Sequence, residues 1–502
     1  MKLSTSSALL AAASFPALVA ACHGDPHVAR QVHHARQAPP ASSAPAPASS
    51  GSSVPSAASG APPASGVSAP ASSTPVPTFT YSLLSTNPTA VPLSSINSAA
   101  PSSATRPLDS TATPGATPSF LPGAPPLPNA ALLLPSNYPA LDKPPPTDSP
   151  EVAQWKQDVA NSGVTIPDIA PTVLGGCPAN AAAAADTSRC WWTCGGCTRD
   201  TDVTECPTRM EWGLTYDDGP SFYTSDLLNY LDQQNLKSTF FVVGSRVISF
   251  PNILQTQYMG QHQIAAHTWS HPSLTTLSND EIIAELGWSK KVIKDVLGVT
   301  PNMMRPPFGD IDDRVRAISK AMGLTPVMWT RISPLATFDT DDFNIHGGLT
   351  SAPQVLQNWE NILGNATKLD SGFIVLEHDL FQQSVEIATG YILPDAIAHE
   401  PSFSIKPVIA CLNKPLSDAY IETNDNTTNP PPVSGTGSAA LSIPSQTNEV
   451  SGGSPTLSSS ATGSAGTKGA DSNSAAPVFG AAGSVAFGAS IIALAGLTVF
   501  SM

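Results

Sequence analysis

The sequence predicts an α/β fold in which parallel strands alternate with helices and close into a barrel. From Trp212 to Cys411, short apolar runs typical of buried strands are each followed by a turn and an amphipathic segment. The expected strands lie near 212–218, 238–244, 263–267, 302–305, 324–331 and 372–378. About 200 residues with six such units are enough for one core and favour a barrel over a small open sheet. In such a barrel, functional groups are expected at the C-terminal ends of the strands.

Two helices in this region have recognisable boundaries. The segment NDEIIAELGWSKKVIKDVLG begins with Asn279 as its expected cap and ends at Gly298, before Pro301. A second helix is expected to open at Asp310 and to close at Gly323. Short polar residues favour helix starts, and glycine favours the position after the end.

The flanks have the composition of a secreted protein with extended stalks. The chain has 502 residues with 51 Pro and 12% charged residues, which is too Pro-rich for one globular domain throughout. Lys2 and the following apolar run predict a signal peptide over 1–21. Segments 22–150 and 421–473 are dominated by small residues and proline, and are expected to remain unfolded. Between them we expect a Cys-rich extension over 151–205 and a catalytic domain over 206–420.

The C-terminal segment over 474–502 predicts a GPI-anchor signal. Small residues around Asn473, the expected attachment residue, precede an apolar tail from Val478 to Phe500. A plain transmembrane helix is the alternative, against which the abundant Gly and Ala and the missing basic flank argue. We therefore expect a secreted protein of the cell wall and of the outer face of the plasma membrane. The net charge of −15 is spread thinly without a basic patch, so nucleic acid is not an expected partner.

Six cysteines lie in the region expected to fold: Cys177, Cys190, Cys194, Cys197, Cys206 and Cys411. An even number in a secreted chain favours three disulfides, but it leaves the connectivity open. The run CWWTCGGC offers a zinc knuckle as an alternative, which an oxidising compartment disfavours. Trp191 and Trp192 are expected to pack against the disulfides, with stacking on sugar rings as the alternative. Sequons at Asn365 and Asn426 predict N-glycosylation.

Chemically active side chains follow several of the predicted strands. Asp217 and Asp218 end the first strand in LTYDDGPS, where one carboxylate can face a metal and the other a water. His267 and His271 in HTWSH are four residues apart. They can close on one metal ion if the chain makes a helical turn there, and a carboxylate from elsewhere would complete an open three-ligand site.

Later strands contribute further candidates. Arg305 lies in MMRPPFGD, and His378 lies in IVLEHD at the end of the last strand. Three carboxylates follow the strand before that one: Asp339, Asp341 and Asp342. Any one of these side chains could be structural. Their occurrence at successive strand ends, in a chain with ten His, predicts a single site.

The motifs TYDDGP, HTWSH, RPPFG, FDTDDF and LEHD resemble the five motifs of carbohydrate esterase family 4, the NodB-homology polysaccharide deacetylases. The predicted signal, stalk and anchor are similar to those of the fungal chitin deacetylases in particular. The resemblance covers roughly residues 205–412 and implies a distorted (β/α)7 barrel. It also implies metal-dependent removal of acetyl groups from chitin, which gives chitosan and acetate. Another acetylated polysaccharide, such as xylan or peptidoglycan, is the alternative substrate; a catalytically inactive, glycosylated wall protein is the alternative of another class.

The resemblance assigns roles to five of the candidates. Asp217 is implied as the general base. Asp218, His267 and His271 are implied as ligands of a divalent ion, Zn²⁺ first and Co²⁺ second. His378 is implied as the acid that protonates the departing amine, because an unprotonated amide nitrogen is a very poor leaving group.

The remaining roles also come from the resemblance. Arg305 would pair with Asp217 and keep it ionised, and Asp342 would orient His378, although the fourth motif can also be read from Asp339 or Asp341. A disulfide between Cys206 and Cys411 is implied.

The resemblance also implies how substrate is contacted. Leu376 would line a small pocket for the acetyl methyl group, with Phe308 and Trp329 as further substrate contacts. Phe308 stands where the family usually has Tyr, and Phe343 where it often has Trp. The first change removes a hydroxyl and no backbone donor, so we expect catalysis to survive.

Overall fold

The computed structural model describes residues 79–334 and 336–425. The predicted signal peptide over 1–21, the anchor signal over 474–502, Asn426 and Asn473 lie outside these residues, as do the outer parts of both predicted stalks. Within the described part of the chain, no helix is both long and apolar enough to cross a membrane.

Short strands, most of them parallel, form the centre of the fold. They are β1 (Glu211–Gly213), β2 (Thr215–Asp217), β3 (Thr239–Val242), β4 (Gln263–Ala266), β5 (Met303–Met304), β6 (Thr325–Pro326), β7 (Arg331–Ser333), β8 (Ala336–Thr337), β9 (Phe373–Ile374) and β10 (Ser404–Lys406). One sheet has the order β2-β3-β4-β5-β6, a second has the order β10-β1-β9, and both are parallel throughout. β7 and β8 form a separate antiparallel pair. Each of the six predicted strands contains an observed one.

Hydrogen bonds beyond the named strands close the two sheets into a ring. The Thr330 N–H, after β6, donates to Ile374 O in β9 at 3.0 Å, and the Leu376 N–H donates to Phe338 O at 2.8 Å. On the other side of β9, Asp217 and His378 form a parallel bridge. The predicted α/β barrel, in the distorted form that the resemblance implied, is confirmed. Its strands β2, β3 and β4 are buried on both faces, as is usual where helices cover a parallel sheet.

Helices surround the barrel. They are α1 (Pro150–Asn161), α2 (Gly176–Ala179), α3 (Ala181–Ala185), α4 (Thr224–Gln233), α5 (Gly244–Ser249), α6 (Pro251–Met259), α7 (Asn279–Leu297), α8 (Asp313–Ala321), α9 (Ala352–Ala366), α10 (Gln382–Ile387), α11 (Leu393–Ile397) and α12 (Val408–Cys411). A π-helical turn over Ala388–Ile392 joins α10 to α11. Asn365 lies in the last turn of α9 and is partly exposed, and its glycosylation stays a prediction.

Helix α7 matches its predicted range, but its cap is one residue earlier. The Ser278 side chain accepts the N–H of Glu281, and the Glu281 carboxylate accepts the N–H of Ser278. This reciprocal pair is a capping box, so Asn279 is the first helical residue and not the cap. The helix ends at Gly298, whose φ of 82° is the left-handed conformation that glycine adopts most readily.

Helix α8 begins at Asp313, three residues after the predicted start at Asp310. The cap is Asp312, whose side chain accepts the N–H of Val315. Asp310 is unavailable for capping because its carboxylate binds side chains of other segments, as described below.

Residues 79–149, here called the strap, differ from the predicted unfolded stalk. Ile96, Leu121 and Leu127 are at most 2% exposed and belong to the same hydrophobic core as the barrel. The Tyr138 hydroxyl donates to the Asp295 carboxylate at 2.8 Å. The average composition of the segment, rich in proline and small residues, does not reveal the few apolar residues that pack against the barrel. The many prolines also restrict the unfolded chain, which lowers the entropy lost when the strap becomes ordered.

The six cysteines of the folded region form three disulfides: Cys177–Cys194, Cys190–Cys197 and Cys206–Cys411. Because all six are paired, the zinc-knuckle alternative is excluded. The Cys206–Cys411 bond, which the resemblance implied, joins the beginning of the barrel to its end across 205 residues of sequence.

The strap offers a matched pair of substitutions that tests whether it is part of the core. Leu121 is 1% exposed and Leu132 is 75% exposed. Leu121→Ala is expected to lower the free energy of unfolding by about 2–5 kcal/mol, because it removes buried methyl groups and leaves a cavity. Leu132→Ala is expected to change it by at most about 0.5 kcal/mol. Equal, negligible effects in denaturant titrations would instead support an unfolded stalk.

Candidate active site

One pocket at the C-terminal ends of the strands collects most of the predicted site residues. Its lining consists of Asp217, Asp218, His267, His271, Phe308, Trp329, Phe343, Asn344, Leu376 and His378. Arg305 and Asp342 lie behind the wall, and each binds one residue of the lining. The side chains that the sequence predicted to act together therefore share one place. Asn344 was missed, and Phe343 was noted only as a departure from the usual Trp.

The two neighbouring carboxylates face the same pocket because the strand ends between them. Consecutive side chains of a strand point to opposite faces. Asp217 is the last residue of β2, and Asp218 has a φ of 76°, in the left-handed region that non-glycine residues seldom occupy. Both side chains are almost fully buried. The change of backbone direction at Asp218 brings its carboxylate back to the side of Asp217.

Arg305 is the counter-charge of Asp217. Its Nη1 donates to Asp217 Oδ1 at 2.8 Å and to Thr215 Oγ1 at 2.9 Å, and its Nε donates to Val327 O at 3.1 Å. Burial lowers the pKa of Arg305, and the Asp217 carboxylate opposes that shift. Removing either partner would leave a buried charge without compensation, which typically costs about 3–5 kcal/mol.

Asp218 lies against the two imidazoles. Its Oδ1 is 3.1 Å from His271 Nε2 and 3.4 Å from His267 Nε2. The potential ligand atoms of the three residues all lie within 4.8 Å of one another. The spacing of the two histidines predicted that a helical turn would bring their rings together, but residues 267–271 form a non-helical loop instead. Thr268 and His271 have φ values of 64° and 63°, which turn the two rings toward one point.

The donor set fits a divalent ion. Asp218 Oδ1 is buried and accepts no well-formed hydrogen bond. His267 Nδ1 donates to Arg305 O at 2.7 Å, which leaves Nε2 with its lone pair, the usual arrangement behind a metal-binding histidine. Burial lowers the pKa of His271 and so favours the neutral ring. Burial also raises the pKa of Asp218, but His271 and His267, when their rings carry a proton toward it, outweigh burial and hold that pKa well below its usual value.

His378 faces this group across the pocket and is fixed by Asp342. Its Nδ1 lies 2.7 Å from Asp342 Oδ1, and its backbone N–H donates to Asp342 Oδ2 at 2.9 Å. Burial lowers the pKa of His378, but the Asp342 carboxylate, aided by Asp218 and Asp217, outweighs it and raises the pKa to about 10. The raised pKa favours the protonated ring at neutral pH, and Nε2 is its only ring nitrogen that Asp342 does not bind.

Of the three carboxylates in the fourth motif, Asp342 is the one that contacts His378. Asp339 Oδ1 accepts the N–H of Asp341 at 2.8 Å. Asp341 Oδ1 in turn accepts from Asn344 Nδ2 at 2.6 Å. The contact with His378 favours Asp342 among the alternatives that the sequence left open.

Aromatic side chains form one wall of the pocket. The Phe308 ring lies 4.6 Å from the His271 ring between centroids. Trp329 Nε1 donates to Thr337 Oγ1 at 2.9 Å, and the Trp329 ring packs edge-on against Trp192 at 4.5 Å. Leu376 lines the pocket close to these rings. Phe308, Trp329 and Leu376 thus give this side of the pocket a largely apolar surface.

The Cys-rich segment supports this wall from behind. Trp191 and Trp192 are both buried, which argues against stacking on sugar, and their packing against the disulfides stays a prediction. Trp191 Nε1 donates to Asp310 Oδ1 at 2.7 Å, and Thr275 Oγ1 donates to Asp310 Oδ2 at 2.7 Å. Asp310 thus ties the Cys-rich segment to the loop that follows His271, which explains why it does not open helix α8.

Two charged residues near the site carry no signal in the sequence. Arg246 Nη1 donates to Asp218 O at 2.8 Å and lies 3.9 Å from Asp218 Oδ1. Glu285 is buried behind the HTWSH loop, and burial raises its pKa to about 7. Both lie on helices and not at strand ends, so neither the strand pattern nor the motifs point to them.

Comparison with known proteins agrees with this geometry. The family model for polysaccharide deacetylase matches residues 204–327. The chain is 52% identical over 376 residues to chitin deacetylase 1 of Cryptococcus neoformans var. grubii, which covers 74% of this chain and 78% of the relative. It is also 41% identical over 200 residues to a chitin deacetylase of Amylomyces rouxii. The matched residues cover 38% of this chain and 46% of that relative.

A solved chitin deacetylase structure, from Colletotrichum lindemuthianum, is 23% identical with a TM-score of 0.39 and covers 44% of this chain and 95% of that one. The relative from Cryptococcus matches over most of both chains, and two chains with this much sequence identity share an ancestor and a fold. The chain therefore belongs to the polysaccharide deacetylases, carbohydrate esterase family 4.

Proposed function

We propose that the protein hydrolyses the N-acetyl groups of N-acetylglucosamine residues in chitin, leaving glucosamine units and releasing acetate. The proposal rests chiefly on one observation: two adjacent buried carboxylates have different partners. Asp217 is bound to Arg305, whereas Asp218 lies against His267 and His271. His378, whose pKa is raised by the Asp342 carboxylate, lines the same pocket.

Asp218, His267 and His271 would hold a divalent ion, with Zn²⁺ as the first choice and Co²⁺ as the second. Two neutral imidazoles and one carboxylate are a ligand set typical of catalytic zinc. When bound, such an ion supplies Lewis-acid polarisation of the amide carbonyl and lowers the pKa of water.

Asp217 acts as the general base. Arg305 occupies its Oδ1, so Oδ2 is the oxygen that takes the proton from the attacking water. Asp217 Oδ2 lies 3.8 Å from His267 Nε2, which places the base beside the metal ligands. The salt bridge with Arg305 fixes the direction of the carboxylate during this step.

His378 acts as the general acid. Asp342 holds Nδ1, so Nε2 donates the proton to the amide nitrogen as its bond to the acetyl carbon breaks. Protonation is required because the unprotonated nitrogen is a very poor leaving group. The nearby carboxylates keep the donor charged until the proton is needed.

The pocket wall positions the substrate. Leu376 packs against the acetyl methyl group, and Phe308, Trp329 and Phe343 present apolar surface to the sugar. The same machinery cleaves esters and other acetylated sugars, so acetylated xylan and peptidoglycan are the competing substrates. The names of the two fungal relatives favour chitin. An N-terminal signal and a C-terminal GPI anchor would place the enzyme at the cell wall and the outer face of the plasma membrane.

Acetate release tests the proposed reaction. Protein released from cells with phosphatidylinositol-specific phospholipase is incubated with chitin oligomers, acetylated xylan and peptidoglycan. We expect the fastest acetate release from chitin oligomers, full loss of activity in chelator and recovery with zinc. His267→Ala, which lacks one ligand, should not recover. Chelator-resistant activity or a preference for xylan would contradict the proposal, whereas retention of the protein on cells after complete digestion would contradict only the anchor.

The pH profile of kcat/KM tests the pairing of His378 with Asp342. The acid must be protonated, so activity is expected to fall as pH rises through the raised pKa of His378, about 10. Asp342→Asn removes the charge that raises this pKa, while burial still lowers it, so the alkaline limb should move to lower pH. Asp341→Asn, in the same loop but bound to Asn344, is the matched control. An alkaline limb that stays in place in Asp342→Asn would exclude His378 as the acid controlled by Asp342.

A further inference from the structure

The loop that carries both histidine ligands adopts a conformation that its own sequence does not favour. Thr268 and His271 have φ values of 64° and 63°. A β-branched residue such as Thr268 is rarely found in this region, because its side chain crowds the backbone. Such a conformation persists only where the surroundings determine it. The partners of this loop therefore decide whether both imidazoles reach Asp218.

Helix α5 and the loop itself satisfy part of the backbone between the histidines. Thr268 O accepts the N–H of Gly244 at 2.9 Å, and Trp269 O accepts the N–H of Ser245 at 3.0 Å. The His271 N–H donates to Thr268 Oγ1 at 3.0 Å. Two N–H groups in the middle of the loop, those of Trp269 and Ser270, then need acceptors, because a buried backbone donor is costly without one.

Glu285 on helix α7 supplies these acceptors. Its Oε2 accepts the N–H of Trp269 at 2.8 Å and the N–H of Ser270 at 2.9 Å. Its Oε1 accepts the Ser270 hydroxyl at 2.6 Å. One carboxylate therefore binds two consecutive residues that lie between the two metal ligands.

The burial of Glu285 favours a functional role over a purely stabilising one. The side chain is fully buried on a helix whose neighbouring positions include Ile282, Ile283 and Leu286. Burying a carboxyl group in such surroundings costs free energy, which its three hydrogen bonds to the loop offset. An apolar residue at this position could not accept the two backbone N–H groups of the strained loop.

We propose that Glu285 is a positioning residue that holds the His267–His271 loop in the conformation that aims both imidazoles at Asp218, and thereby sets the affinity of the site for a divalent ion. Glu285 acts through Trp269 and Ser270 and does not touch the ion. The inference rests on the proposed function in one respect, the presence of a metal ion at this site. Loss of a group that supports metal ligands from behind typically weakens metal binding by about 10- to 100-fold.

Three variants of the full chain separate this role from a general loss of stability. Glu285→Ala removes both acceptor oxygens. Glu285→Gln keeps one carbonyl oxygen for the two N–H groups and offers an amide donor to the Ser270 hydroxyl. Asp395→Ala is the matched control, because Asp395 is 1% exposed and accepts from Leu84 N–H and Trp359 Nε1 outside the site.

The dissociation constant for zinc is measured by chelator competition on the folded fraction of each protein. Glu285→Ala is expected to raise it about 10- to 100-fold. Glu285→Gln and Asp395→Ala are expected to remain close to the unmodified chain, although Asp395→Ala should unfold at a lower temperature. If Glu285 had only a structural role, Glu285→Ala would leave the dissociation constant for zinc as close to that of the unmodified chain as Asp395→Ala does.

The outcomes distinguish this inference from the proposed function. An unmodified chain that binds no zinc would overturn both, whereas zinc binding that is equally tight in the unmodified chain and in Glu285→Ala would overturn only the role of Glu285. If Glu285→Ala yields no folded protein, Ser270→Ala is measured instead. It deletes the hydroxyl donor to Oε1 and is expected to raise the dissociation constant about threefold. An unchanged constant in that variant would overturn the inference.

Discussion

Two carboxylates on consecutive residues are buried in one pocket, and much of the site follows from the need to separate their charges. An isolated buried carboxylate is too costly to remain ionised, so each needs its own partner. Asp217 has Arg305 at 2.8 Å, and Asp218, which lies against the imidazoles of His267 and His271, would share a divalent ion with them. Because a strand cannot point consecutive side chains to one side, this division also requires the left-handed backbone at Asp218. Two chemically equal residues thereby have different surroundings.

The loops around the pocket are held in unfavourable conformations by the parts of the chain that surround them. Besides Asp218, the left-handed residues include Thr268, His271 and Phe308. Strain of this kind is offset by the packing of neighbouring segments. Glu285 and the strap bind the histidine loop, the strap through Ala140 O, which accepts Trp269 Nε1 at 3.1 Å. The Cys-rich segment supports the aromatic wall. These segments outside the motifs are thus structural parts of the active site.

The sequence could predict the barrel and the chemistry-bearing residues, because strand periodicity and strand ends are local features. Asp217, His267 and His378 could be placed in this way, each directly at or after a strand. Features that depend on tertiary contacts could not be predicted. The docking of the strap depends on a few apolar residues within a Pro-rich segment, and the role of Glu285 depends on a loop that approaches it in space. The sequence predicts a helix start at Asp310, but the Asp310 carboxylate binds Trp191 and Thr275, which are distant in sequence.

The most direct test of the separate tasks compares zinc content and acetate release in Asp217→Asn and Asp218→Asn. We expect folded Asp217→Asn to retain about one zinc ion per chain and to lose roughly 10²- to 10⁴-fold in rate, because the amide cannot accept the proton. Added zinc should not restore it. Asp218→Asn should lose the ion, because an amide oxygen is a poorer ligand, and should recover in part when zinc is added. Recovery of Asp217→Asn with zinc, or an Asp218→Asn protein with full metal content and activity, would contradict this account.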